Sequence, residues 1–210
     1  MKKFAFTLSE ILITLGIIGV VAALTLPTLI NNYQKHVWVN QLKKSVSTLE
    51  QGFHLMLAQD EVDSLYNTVI FQKIAREDCV MGSMNENPAC KEFCNDLKKY
   101  FKADYTKHNA KVYGINGQED YDASNEDWLT LNDGSMAYFN VMLGSDVIWD
   151  FFMIDVNGSK KPNRYGRDIF VFSLKDNGKL EPNKAPDCNK TDFGIGCTAK
   201  VIENGWKMDY

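Results

Sequence analysis

Two hydrophobic patterns follow one another at the start of the chain. From Phe6 to Ile30 nearly every position is apolar, Glu10 is the only charge, and the twenty residues from Ile11 to Ile30 carry none. At about 1.5 Å per residue, a helix of that length crosses the hydrocarbon of a bilayer. Beyond it the apolar positions thin out to Val39, Leu42, Val46, Leu49, Phe53 and Met56, spaced alternately three and four residues apart. That spacing draws one stripe along a helix, with Gln41, Lys44, Ser47, Thr48 and Gln51 on the opposite face. Pro27 lacks a backbone donor and is expected to kink or loosen the turn before it. The pattern predicts one long helix whose second half lays its stripe on a folded body.

Within that body, Leu65, Val69 and Ile74 predict a short helix over residues 62–76. A second helix starts with Asn87 as cap and Pro88 at the first helical position. It then carries Cys90, Phe93, Cys94, Leu97 and Phe101 on one face and stops near Lys102. Residues 107–126, rich in Asp, Glu and Asn and containing Asn116-Gly117, read as a surface loop. The last third turns to β: Asp133-Gly134, Asn157-Gly158 and Asn177-Gly178 punctuate apolar runs at 128–131, 136–143, 147–156 and 169–174. The run Val147 to Val156 is apolar on both alternations, so it is expected to be central and covered on both faces. The predicted fold class is α+β, a long N-terminal α-helix packed on an antiparallel β-sheet of about four strands.

Composition makes this a globular protein: of 210 residues 45% are hydrophobic and 24% charged, enough to bury a core. Charge is uneven. Residues 61–210 hold 18 basic against 24 acidic groups, and no basic stripe that would mark nucleic acid as a partner is visible. Lys2 and Lys3 precede the apolar run and no basic residue follows until Lys35, which places the N-terminus on the cytoplasmic side and the body outside. A secretory signal peptide ending at Val21-Ala22-Ala23 is the competing reading. Glu10 argues against it, because a carboxylate at the head of an apolar run is costly in lipid and needs a partner.

Lys2-Lys3-Phe4-Ala5 followed by Phe6-Thr7-Leu8-Ser9-Glu10-Ile11-Leu12-Ile13 resembles the leader and mature start of type IV pilins and of the pseudopilins of type II secretion systems. The resemblance is strong over residues 1–60 and weak beyond. It implies a leader of residues 1–5 removed by a prepilin peptidase between Ala5 and Phe6, with methylation of the new amine on Phe6. Ala5 departs from the family's usual glycine. The family's glutamate maps onto Glu10 and its helix-distorting proline onto Pro27. The implied assembly rests on the Phe6 amine of one subunit neutralising Glu10 of a neighbour inside an apolar filament core. The implied divisions are a membrane-spanning helix half at 6–30, an amphipathic half at 31–60 and an extracytoplasmic domain at 61–210. Implied partners are the prepilin peptidase, other pilin or pseudopilin subunits, the inner-membrane assembly machinery and the membrane itself.

Five cysteines agree with an oxidising compartment. Cys188 and Cys197 enclose a glycine-containing loop that a disulfide would close. Cys79 is expected to pair with either Cys90 or Cys94, which share a helix face. A zinc site from Cys79, Cys90, Cys94 and His108 has suitable ligand types, but the spacing matches no compact zinc module. Asp155, Asn157, Asn163 and Asp168, with Ser159, offer oxygen ligands for calcium across one loop, and some pseudopilins hold calcium in their β region. Against this, Lys160, Lys161, Arg164 and Arg167 crowd the same loop. His36 and His54 lie on the long helix without an acid or nucleophile placed beside them. No enzyme signature is present in the sequence. Three readings therefore compete: a filament subunit, a membrane-anchored binding domain that does not assemble, and a signal-anchored enzyme.

Mass spectrometry of the protein purified from its membrane should find a mature chain beginning at methylated Phe6. A chain beginning at Leu24 would instead mark an ordinary secreted domain.

Overall fold

The computed structural model describes residues 7–73, 88–139, 147–185 and 188–210. Two compact units divide the chain, Met1–Val37 and Trp38–Tyr210. Helix α1 (Leu8–Asp60) is continuous through Pro27, and its last part, from Trp38, belongs to the second unit. The predicted stripe is the buried face of that part: Val39, Leu42, Val46, Leu49, Phe53 and Met56 are all buried. Each such side chain contributes roughly 1.5–3 kcal/mol when removed from water. His36 and His54 are exposed.

After α1 come a 3-10 turn (Leu65–Asn67), a one-turn helix α2 (Val69–Gln72) and helix α3 (Pro88–Phe101). The single helix expected over 62–76 is therefore replaced by two short turns. Thr68 breaks it: its backbone is extended, and its hydroxyl accepts from Phe71 N at 3.4 Å as the cap of α2. Asp60 Oδ2 accepts from Val69 N and ties that cap back to the end of α1. Ile74 lies outside the described residues. Helix α3 runs from Pro88 to Phe101 as expected and buries Cys90, Phe93, Cys94, Leu97 and Phe101, while Asn87, expected as its cap, lies outside the described residues.

Eight strands follow among the described residues: β1 (Asp104–Lys107), β2 (Lys111–Tyr113), β3 (Glu119–Asp122), β4 (Asp127–Thr130), β5 (Met136–Phe139), β6 (Val147–Asp155), β7 (Ile169–Lys175) and β8 (Leu180–Pro182). Six form an antiparallel sheet in the order β1-β4-β5-β6-β7-β8, and β2 with β3 forms a separate pair. The four predicted strands are β4 to β7. Residues 140–143, read as the end of one of them, lie outside the described residues.

Two strands, β1 and β8, extend the expected sheet, and they are short and polar enough to give little period-two signal. The expected surface loop over 107–126 is the larger correction. It holds the end of β1 and the hairpin β2–β3, in which Gly117 adopts φ +87° and Asn116 Oδ1 accepts from Gln118 N at 2.9 Å. Val112 is buried and Tyr121 half-buried on this hairpin, while its charged residues face solvent and give the stretch its loop-like composition. The Asp133-Gly134 and Asn177-Gly178 turns sit where expected, joining β4 to β5 and β7 to β8. Asn157-Gly158 instead opens a long connection from β6 to β7.

Strand β6 is central and covered on both faces, as expected. Phe152, Met153 and Ile154 are consecutive and all buried, so neighbouring side chains on opposite faces are both out of water. On one face the Phe152 ring packs 5.3 Å from Phe139 and 6.2 Å from Phe53 of α1. On the other, Met153 Sδ lies 3.5 Å from Tyr165 Oη and 3.8 Å from Tyr121 Oη. Polar contacts then set the position of the helix along the sheet. Ser45 Oγ lies 3.0 Å from Ser135 Oγ, Lys44 pairs with Asp133 at 3.1 Å, and Leu180 N donates to Glu50 Oε1 at 3.0 Å. Helix α4 (Cys197–Glu203) closes the chain, with Val171 N of β7 donating to Thr198 Oγ1 at 2.8 Å.

Gly52 is a helical glycine whose missing side chain matters. A Cβ there would strike the ring of Phe101, itself held edge-on at 5.1 Å from Phe53. Helix propensity alone favours alanine by about 1 kcal/mol. The clash is expected to outweigh it, so Gly52→Ala should destabilise the domain by about 1–3 kcal/mol in urea unfolding. A stabilised variant would mean that Phe101 can move aside.

Candidate functional site

Two regions combine unusual chemistry with exposed or buried charge. The first is the start of α1. Thr7 caps the helix: its Oγ1 accepts from Glu10 N at 3.3 Å, and Glu10 Oε2 accepts from both Thr7 N and Thr7 Oγ1 at 2.8 Å. This is a reciprocal capping box, legible as Thr-x-x-Glu but not read from the sequence. It gives the carboxylate a partner inside its own chain. Ala5 and Phe6 lie outside the described residues.

From Leu8 to Ile30 the large apolar side chains are exposed around the whole helix, from 44% for Ile11 to 76% for Leu8. The helix is long and apolar enough to cross a membrane. An apolar surface on every side of a helix belongs in lipid or among other apolar helices rather than in water.

The second region brings together all four residues read as candidate calcium ligands. Asp155 ends β6, Asp168 precedes β7, and Asn163 lies in the connection between them with φ 51°. These three are buried, and Asn157 is half-buried. The fifth member was assigned elsewhere by the sequence: His108, also buried, places Nε2 2.9 Å from Asp155 Oδ2. Its ring stacks on Trp128 of β4, with centroids 4.3 Å apart.

The carboxylates already have partners. Asp155 Oδ1 accepts from Asn157 N at 3.1 Å. Asp168 Oδ2 accepts from Asn163 N at 2.9 Å and Oδ1 from Arg164 N at 2.8 Å. In the orientation that satisfies its surroundings, the Asn163 amide donates to Lys160 O and Asp155 Oδ2.

Calcium takes six to eight oxygen ligands. Here the Asp155 and Asp168 oxygens already accept from backbone N–H groups of the same connection. What the cluster does is brace the β6–β7 connection: a buried carboxylate at each end binds the backbone amides between them.

Burial sets the electrostatics. Desolvation and then the charge of Asp168 push the Asp155 carboxyl well above its ordinary range. Burial raises Asp168 to about 6, against the opposing pull of the Arg164 and Asn163 amides. Burial also lowers His108 below its usual value, so neighbouring carboxylates do not hold it charged.

The cysteines divide cleanly. Cys188 and Cys197 are bonded, with their Cα atoms 4.6 Å apart. Cys90 is disulfide-bonded and Cys94 is a buried free thiol, its pKa pushed up to about 11 by burial. Cys79 lies outside the described residues. Among the described residues, His108, on Asp155, joins no metal-holding group with the cysteines.

No family model, no curated protein and no solved structure matches the chain.

The buried acids give the domain a pH dependence with a definite sign. The folded chain keeps the Asp168 proton between about pH 4 and 6, where the unfolded chain has lost it, so Asp168 makes stability fall as pH rises through that window. His108 has the opposite sign, because its depressed pKa favours folding as pH rises towards 6.5. Asp155 adds to the Asp168 trend, as does half-buried Glu126, whose pKa burial also raises. Asp168→Asn should therefore remove a decline of about 3 kcal/mol between pH 4 and 6. Urea unfolding of both proteins at several pH values checks this, and an unchanged slope would exclude Asp168 as its source.

Proposed function

We propose that this chain is a pilin-like structural subunit, a pilin, minor pilin or pseudopilin of a type IV pilus or type II secretion-type filament. In this reading a prepilin peptidase trims it after Ala5. The helix holds it in the inner membrane as a single pass with the globular domain outside, and the assembly machinery then moves it into a filament. The role is structural rather than catalytic. One observation carries the reading: the first part of α1, apolar on every side from Leu8 to Ile30, bears a single carboxylate, Glu10, at its head. Lipid can accommodate the apolar surface of one subunit, and packed helices of neighbouring subunits can accommodate it equally. The carboxylate is costly in either setting, and assembly can give it a cation on a neighbouring subunit. The amine freed at Phe6 supplies one. The buried stripe on the second half of α1 and the antiparallel sheet beneath it also agree with the architecture that the N-terminal resemblance implies.

Because Thr7 also satisfies Glu10, two substitutions separate capping from assembly. Thr7→Val removes the cap, and Glu10→Leu removes both cap and charge. If the charge works between subunits, the Glu10→Leu protein should insert in the membrane and fold yet be lost from sheared filaments. The Thr7→Val protein should still be incorporated. Equal incorporation of Glu10→Leu and the unaltered protein would defeat the reading, and equal loss from both variants would reduce Glu10 to a helix cap.

A further inference from the structure

A cleft of about 630 Å³ opens beside the braced β6–β7 connection, between it and the start of the β2–β3 hairpin. Its walls include Asn109, Lys111, Tyr113, Lys161, Pro162 and Arg164. The volume falls within the range of small-ligand sites. Its charge is opposite to that of the domain around it. Lys111 is neutralised by Glu119, both of whose oxygens lie 2.9 Å from Nζ. Lys161 is exposed, and among the described residues neither it nor Arg164 has an ion-pair partner. The Arg164 guanidinium lies over the β2–β3 turn at Gly117.

These cations stand on a rigid base. Tyr113 N donates to Asn163 O at 2.9 Å, Tyr165 N donates to Tyr113 O at 3.0 Å, and Asp168 holds the amides of Asn163 and Arg164. A buried carboxylate thus fixes the backbone of a loop whose outer side presents positive charge. The Arg164 backbone is held in this way, and its guanidinium can bind a carboxylate through two parallel hydrogen bonds.

We infer that this cleft binds an acidic polysaccharide, with a uronate carboxylate held between Lys161 and Arg164. The other walls decide for a sugar. Tyr113 and Pro162 offer apolar faces for a pyranose ring, and Asn109 offers an amide for its hydroxyls. An extended acidic peptide added as a further strand would need a free strand edge, but the Tyr113 N–H and C=O are already bonded to the β6–β7 connection. Nucleic acid would need a stripe of several cations to track its phosphates, and among the described residues this cleft holds two without an ion-pair partner. The inference does not depend on the filament reading, because the cleft lies wholly within the second unit.

Isothermal titration of the full-length chain in detergent with oligogalacturonate tests it, with a neutral galactose oligomer as comparison. Oligogalacturonate should bind, and added salt should weaken the binding. Lys161→Gln and Arg164→Gln should each weaken it about tenfold or more. Lys179→Gln, on the turn before β8, should leave it unchanged. Lys161 is exposed, so that variant retains its fold, which an unchanged melting profile verifies. The inference is overturned by absence of binding, by equal binding of the neutral oligomer, or by binding indifferent to both cleft substitutions. Tighter binding of polyglutamate or of a single-stranded oligonucleotide of equal charge would also overturn it, assigning the cleft to another class of anion.

Discussion

Burial of one helical stripe organises the domain. Val39 through Met56 must leave water, and the sheet is the surface that receives them. Phe53 is the centre of that contact, edge-on to Phe101 of α3 and within 6.2 Å of Phe152 on the central strand. Helix, α3 and sheet therefore meet around one aromatic group. Apolar packing sets no direction along the helix axis, and the polar contacts at Lys44, Ser45 and Glu50 supply it. Gly52 lets α3 come close enough for Phe101 to complete the layer.

What could be read from the sequence depended on whether its signal was local. The stripe, the α3 face and strands β4 to β7 each repeat within a few residues, so periodicity found them. The β2–β3 hairpin carried the right dipeptide, Asn116-Gly117, but its solvent side is so acidic that composition overrode the turn signal. The helix expected at 62–76 failed for a different reason. Its apolar spacing was adequate, yet Thr68 used its side chain to begin a new turn.

The buried polar cluster was half legible. Asp155, Asn157, Asn163 and Asp168 lie close in sequence, so their grouping is legible there; that the two carboxylates accept from the connection's own backbone amides is visible only in the fold. His108 joins them across 47 residues, and its stacking on Trp128 depends on strand pairing that no short window contains. The cleft was hidden by averaging. A net-negative domain conceals Lys161 and Arg164 until the fold makes both of them line one cleft.

The two outer strands of the sheet constrain how this domain can meet another. At one margin β1 is four residues long and carries Asp104 and Lys107; at the other β8 is three residues long and ends in Pro182. Short, charged or proline-bearing margins resist strand-to-strand pairing between molecules. The domain can thus be held at high local concentration without its sheets fusing into a continuous ladder. Any ordered contact between copies must then be made by side chains on helices, turns and loops, which can separate again without unzipping backbone hydrogen bonds.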